Sequence, residues 1–433
     1  MTSSDSSSSN TEDFTNTFGT SSSDEDDEED VTSSSSGYDL SPPKLIIDNY
    51  TLDDILLPSK RFWGGSLEPV KFDCVEEFER IVIDWQSILQ NELVAKPYNT
   101  YTSFIKFHES WSNSNSNFGD FLFNYRTKLD QTSMSCVGMS RDLRDRLHAL
   151  NDRYSSSFRM LSCQEQVVEL PIENGFITDG NVDEFYDLHA KHNIKEHSFI
   201  GVKIVIQNRV GMVLFDPGYH ISRPIITMLD KQYPHTGWFS AGISKFPKEY
   251  CYELTGSRYV IWKVRQHSPE GVIEYRNLVY VEREFITPVQ VTEKRSLLFG
   301  LKSYVVRNRK GVVAGFYSSL QNKQVTIFKN DFDNQQRVSA KFELHELETI
   351  PERVMQSLQW VVDGESNNTT TNPLIKIESN TIHSASATPS RDNFVTRVDE
   401  LLSILRKYGQ VLNDNHFLSS VQNINRQIDF DIY

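Results

Sequence analysis

Cys136, His197 and Asp216 are the residues whose types and order in this chain could do covalent chemistry. A cysteine attacks only as its thiolate, so it needs a base to take the proton and a carboxylate to orient that base. Cys136 meets the first requirement if the helix suggested by Met139, Leu143, Leu147 and Leu150 begins near Ser135. It then lies in the first turn, where free N–H groups and partial positive charge favour a thiolate. Two facts weigh the other way. Gly138 weakens the helix, and an unpaired cysteine is commonly just a small buried hydrophobe. Cys74 also follows a helix cap, but Asp73, Glu76 and Glu77 around it oppose a thiolate, and Cys163 and Cys251 stand near strand starts with no activating group.

The base and its carboxylate are sought in HSFIGVKIVIQNRVGMVLFDPGYH, residues 197–220. The stretch reads as a β-hairpin with His197 at the start of one strand and Asp216 at the end of the next, so closing the turn brings the two together. Alternation puts Asp216 on the face of Val210, Met212 and Leu214, where a carboxylate is costly unless paired. Histidine is a natural partner: the carboxylate accepts from one ring nitrogen and leaves the other to receive a thiol proton. The plainer alternative is that Asp216 caps the Pro217-Gly218 turn, a strong turn signal, while His197 is a surface strand residue. His220 and His235 are rival sources of an imidazole. No H-E-x-x-H, G-x-S-x-G, Walker loop, dinucleotide glycine fingerprint or C-x-x-C occurs, so metal, nucleotide and flavin chemistry have no support.

The elements that must hold these residues can be read from periodicity. Val75, Phe78, Ile81, Val82, Trp85, Ile88, Leu89 and Leu93 recur at helical spacing and predict an amphipathic helix over Asp73–Ala95, with Asp73 as cap and Glu76 as its reciprocal partner. From about Cys163 the period changes to two. Strands are expected near 166–170, 197–206, 210–216, 258–264, 273–281, 302–306, 312–317, 324–328 and 340–344. Phe394, Val398, Leu401, Leu402, Leu405, Tyr408 and Leu412 then return to helical spacing. Helices, then sheet, then a tail helix give an α+β class: an N-terminal helical region, a central antiparallel β-barrel or sheet and a smaller α/β third region. The expected boundaries are a disordered acidic tail over 1–43, a helical domain carrying the candidate Cys over 44–160, a barrel-like domain over 161–290, a third domain over 291–362, a flexible linker or insertion over 363–393 and a C-terminal helical segment over 394–433.

Composition narrows the class further. The chain has 433 residues and a formal charge of -15, of which residues 1–42 contribute 11 acidic and no basic side chains. The remainder, with 48 acidic and 44 basic residues, is nearly balanced, so neither nucleic acid nor an anionic membrane is an expected partner. Ser21, Ser22 and Ser23 precede the run Asp24–Asp30, a context that an acidophilic kinase accepts, although a merely solubilising leader fits as well. With no apolar leader and no stretch long enough to cross a bilayer, the expectation is a soluble, intracellular, cytoplasmic protein with reduced thiols.

Cys on a helix N-terminus, then His and Asp on consecutive strands, is the order of a Cys-His-Asp triad. Here the sequence resembles a family. His197-Ser198-Phe199-Ile200-Gly201-Val202 with Val213-Leu214-Phe215-Asp216-Pro217-Gly218-Tyr219 is similar to the H-x-x-L-x-V and V-D-x-G-F stretches of arylamine N-acetyltransferases. Leu89–Asn99 is a looser echo of that family's L-x-x-x-H-x-x-x-V-P-F-E-N segment, and Phe285-Ile286-Thr287-Pro288 with Gly311–Tyr317 falls where its third domain begins. The family's R-G-G-x-C is replaced by Ser133-Met134-Ser135-Cys136, and its E-x-N by Gly138-Met139-Ser140. The resemblance implies a papain-type fold, with Cys136 as nucleophile, His197 as base and Asp216 as orienting carboxylate. It also implies acetyl-CoA or another acyl-CoA as co-substrate, an amine acceptor and no metal. Two other readings are a scaffold that keeps the fold, recruiting protein partners through the acidic tail or the C-terminal helix, and a cysteine hydrolase using the same three residues.

Overall fold

Apolar periodicity becomes a set of helices packed around curled antiparallel sheet in a computed structural model, which describes residues 46–47, 50–51, 62–130, 134–150, 153–171, 197–241, 248–256, 258–269, 271–334, 336–369 and 391–430. The acidic tail over 1–43, with Ser21, Ser22 and Ser23, lies outside the described residues. In chain order the first elements are the strands β1 (Ile46–Ile47), β2 (Tyr50–Thr51), β3 (Trp63–Ser66) and β4 (Val70–Phe72). They are followed by α1 (Val75–Ala95), β5 (Tyr98–Asn99), α2 (Tyr101–Ser112), α3 (Phe118–Asn124) and α4 (Cys136–His148).

The stripe on α1 buries Phe78, Trp85, Leu89 and Leu93. Trp85 carries the packing, meeting Tyr154, Phe158 and Phe215 edge to face. The helix start departs from the expected capping box. Cys74 is the N-cap and makes no side-chain cap bond, while the Asp73 N–H donates to Glu77 Oε2 at 3.0 Å. Glu77, one residue later than Glu76, is the carboxylate that reaches back, so the reciprocal pair does not form.

The large sheet contains β6 (Arg159–Pro171), β7 (His197–Ile206), β8 (Arg209–Phe215), β9 (Ile225–Met228), β10 (Phe239–Ala241), β11 (Lys248–Thr255), β12 (Tyr259–Ser268) and β13 (Gly271–Tyr280). Its hydrogen-bonded order is β10-β11-β12-β13-β6-β7-β8-β9, with β4 parallel to the end of β7. Curling brings its far arms together, so that the Leu254 N–H on β11 donates to Thr227 Oγ1 on β9 at 2.8 Å. Phe199, Leu214, Tyr250, Tyr252, Val260 and Trp262 fill the interior of the curl. β14 (Arg283–Phe285) pairs with β3 in a separate two-stranded sheet.

A second core forms around α5 (Thr292–Leu298) and the strands β15 (Leu301–Asn308), β16 (Gly311–Ser319), β17 (Gln324–Asp331) and β18 (Gln336–Glu343). This sheet runs β18-β17-β16-β15-β5, so its last strand comes from the helical part of the chain. The turn α6 (Glu346–Thr349) leads into α7 (Pro351–Thr369), and α8 (Arg391–Val411) and α9 (Asn415–Phe430) follow. Leu401, Leu405, Tyr408 and Leu412 of the C-terminal stripe bury against Phe104 and Phe316 in one cluster. The segment expected as a linker over 363–393 is helical at both ends, to Thr369 and from Arg391; residues 370–390 lie outside the described ones. Pro351 at the first helical position lets α7 start without losing a hydrogen bond. Among the described residues, no helix is long and apolar enough to cross a membrane.

Candidate active site

Ser135 caps α4 in extended backbone, its side chain accepting from the Gly138 N–H at 3.3 Å. Cys136 is therefore the first residue of the helix, at the end where N–H groups lack intrahelical acceptors. The whole first turn is buried, Cys136 through Ser140. Gly138 is tolerated there because tertiary packing, not propensity, holds the helix. Ser140 Oγ donates to the Ser198 carbonyl at 3.1 Å, which fixes α4 against β7 one residue from His197.

The hairpin of β7 and β8 does what the sequence suggests. Ile200 pairs with Phe215, and the strand ends beyond that pair carry His197 and Asp216. His197 Nε2 lies 2.9 Å from Asp216 Oδ1. Asp216 also accepts from the Tyr219 N–H at 3.0 Å, so one carboxylate both orients the imidazole and caps the Asp-Pro-Gly turn. Gly218 packs against both Cys136 and the His197 ring, and Cys136 acts on the imidazole to raise its pKa; with Nε2 taken by Asp216, the nitrogen left for the thiol is Nδ1. Relative exposures are 7% for Cys136, 3% for His197 and 0% for Asp216, so the three groups meet in a nearly dry setting where electrostatic interactions are strong. Burial opposes charge on His197, but the Asp216 carboxylate, its hydrogen bond and Cys136 outweigh that and hold the imidazole well above its usual range. The geometry can thus receive a thiol proton and keep it.

The rival histidines have other work. His220 sits in the left-handed region at φ 62°. Its Nδ1 accepts from Arg307 Nη1 at 3.2 Å, and burial together with the Arg307 charge keeps it well below its usual range. His235 Nδ1 accepts from the Met228 N–H at 3.1 Å and serves a turn. Of the other cysteines, Cys251 is buried, which pushes its thiol up to about 11. Among the described residues, no group of three or more His, Cys, Asp or Glu could hold a metal ion.

Two buried residues hold this arrangement from β15 and α5, and the motif search missed both. Arg307 donates to the Pro217 carbonyl at 2.9 Å, to the Lys96 carbonyl at 2.8 Å and to Met139 Sδ at 3.1 Å. It ties the end of α1, the first turn of α4 and the turn after Asp216 to one guanidinium, whose pKa burial lowers to about 9. Glu293 accepts from Ser135 Oγ, the hydroxyl that caps α4. The echo segment at Pro97-Tyr98-Asn99 lies beside the same place: the Asn99 N–H donates to the Met134 carbonyl at 2.9 Å, and Tyr98 packs edge-on to His220.

No protein-family model and no curated protein matches this chain. Among solved structures, it is similar to the arylamine N-acetyltransferase from Mycobacterium abscessus, with 9% identity and a TM-score of 0.34 over 74% of this chain and 94% of that one. It is also similar to the arylamine N-acetyltransferase from Nocardia farcinica, with 9% identity and a TM-score of 0.34 over 70% of this chain and 88% of that one.

Proposed function

We propose that this protein is a cysteine acyltransferase that passes an acyl group from an acyl-CoA thioester to an amine through an acyl-Cys136 intermediate. The observation that carries the reading is a buried Cys136 at a helix N-terminus, set beside an imidazole whose Nε2 lies 2.9 Å from a buried carboxylate. The resemblance of the 197–219 hairpin to arylamine N-acetyltransferases suggests the donor and acceptor classes.

In the first half-reaction His197 Nδ1 takes the thiol proton, and the Cys136 sulfur attacks the donor's carbonyl carbon. The N–H groups of Cys136 and Val137, which have no acceptor within the helix, are suited to the oxyanion of the tetrahedral intermediate. As that intermediate collapses, the carbon–sulfur bond of the donor breaks and the leaving thiolate takes the proton from His197. In the second half-reaction an amine attacks the acyl-Cys136 carbonyl, His197 takes the ammonium proton, and the Cys136 thiolate departs. Asp216 stabilises the imidazolium in both halves without itself taking a proton. The burial of Cys136 favours transfer over hydrolysis, because bulk water has poor access to the thioester.

The deciding experiment follows iodoacetamide alkylation of each cysteine against pH by peptide mass spectrometry, followed by labelling with radioactive acetyl-CoA. Cys136 is expected to react at pH values where a free thiol, with a pKa of about 8.5, is protonated. It should lose that advantage in His197→Ala, and the acetyl label on Cys136 should be discharged by an amine. A Cys136 no faster than Cys74, with no covalent label, would falsify the enzyme reading and leave the scaffold. A label discharged equally fast without amine would make the protein a hydrolase.

A further inference from the structure

The carboxyl that receives the Ser135 hydroxyl has no place in the acyl-transfer steps, yet it is among the most buried charged groups of the protein. Glu293 lies in the first turn of α5, 2% exposed, and accepts from Ser135 Oγ, which in turn accepts from the Gly138 N–H. Glu293 is therefore one hydroxyl away from the helix end that carries Cys136.

The groups facing it come from three other elements. On β15, Lys302 Nζ donates to the carbonyls of Ser296, Leu297 and Phe299 at 3.0, 3.1 and 2.7 Å. Three acceptors match the three N–H bonds of an ammonium and hold Lys302 on the end of α5, while burial and the Arg295 charge lower its pKa well below the ordinary lysine value. Tyr125, just past α3, feels the Glu293 charge. At the start of α4 stands its cap, Ser135. Its own neighbours face elsewhere: Lys294 Nζ donates to the Leu122 carbonyl and Arg295 to Asn425 Oδ1. Burial raises the Glu293 carboxyl to about 7, against the Ser135 hydrogen bond and the Lys302 charge.

We propose that Glu293 is a positioning residue for Cys136: in its neutral form it fixes the Ser135 cap and leaves the helix end free to favour the thiolate, and its ionisation sets a negative charge beside that end and slows the nucleophile. The inference rests on the acyltransferase reading of Cys136. Glu293 touches no reacting atom and acts through the cap.

The test is the pH profile of Cys136 alkylation in the full-length protein, compared with Glu293→Gln, which keeps a hydrogen-bond acceptor but cannot ionise. The midpoint of Cys136 alkylation should lie up to about one pH unit lower in the glutamine variant, the effect of removing one charge beside the helix end at intermediate dielectric. At pH 5.5, where both side chains are neutral, the two proteins should agree within about twofold. The wild-type profile should break near pH 7, and the break should be missing from the variant. Coincident midpoints, or a rate change of the same factor at pH 5.5 and at the midpoint, would overturn the proposal and leave Glu293 a structural residue. If the variant does not fold by circular dichroism, the wild type decides, and a profile without a break between pH 6 and 8 overturns it. A wild-type Cys136 whose reactivity ignores His197→Ala sinks the acyltransferase reading instead.

Discussion

Gly218 lies against Cys136 so closely that a Cβ added to it would stand 2.7 Å from the Cys136 Cβ and 2.8 Å from His197 Cε1. The turn after Asp216 is thus a wall of the thiol–imidazole contact, and only a residue without a side chain fits it. Gly218→Ala should force the turn or α4 to shift. The expected result is a loss of about 100-fold in Cys136 alkylation at pH 6.5, since a displacement near 1 Å at reacting groups costs about that much. Far-UV circular dichroism should stay native. Unchanged reactivity would show that the turn yields freely.

Asp216→Asn removes the charge that supports the imidazolium and replaces one of the two acceptor oxygens by an NH2 donor, which frees the amide to present the wrong group to the imidazole, while keeping the side chain's shape. The thioester-forming rate should fall by about 10³- to 10⁴-fold, with the fold intact. Single-turnover kinetics with an acyl-CoA would measure it, and a loss below tenfold would remove Asp216 from the mechanism.

Trp85 joins α1 to Phe158 and to Phe215, the residue before Asp216. Trp85→Ala should cost about 3–5 kcal/mol of stability, because neighbouring aromatics fill the cavity only in part. Urea denaturation would read it as a lower midpoint with little change in slope, and a cost under 1 kcal/mol would mean that the aromatic cluster repacks.

Glu92 on α1 is fully buried in an ion pair with Arg146 at 2.6 Å. Burial raises its carboxyl to about 7, and the Arg146 charge only partly offsets this. A native pKa above the unfolded value means that the native state holds the extra proton. The contribution is therefore full below about pH 4.5 and is lost as pH rises through 7. Glu92→Gln should flatten the fall in melting temperature between pH 5 and 8. A variant with the wild-type slope would place the titration on another group.

The His197–Asp216 pairing was legible because two strands and a short turn bring residues 19 apart in the chain together by local geometry alone. Cys136 was legible too, since Ser135 is a cap and the apolar spacing after it is helical. Glu293 and Arg307 were not. The stretch Thr292-Glu293-Lys294-Arg295 has the composition of a solvated surface, yet all four side chains are buried. Only tertiary partners such as Ser135, Leu122 and Asn425 make that burial affordable, and no local pattern announces them. The end of α7 was hidden for a related reason: Asn and Thr after Trp360 have weak helix propensity, and the helix extends there beyond the buried Val361 and Val362.

The reach of Glu293 back to the Ser135 cap, across 158 residues of sequence, also sets an order of events during synthesis. At about 5–20 residues per second, the helix bearing Cys136 leaves the ribosome roughly 8–30 s before the carboxyl that latches it. Arg307 and the strand partner of Tyr98 on β15 arrive later still. A nascent chain arrested before residue 290 would carry Cys136, His197 and Asp216 without their supports. Its thiol should then alkylate like that of an unfolded peptide, and the difference from the full-length protein would measure what the later segment contributes.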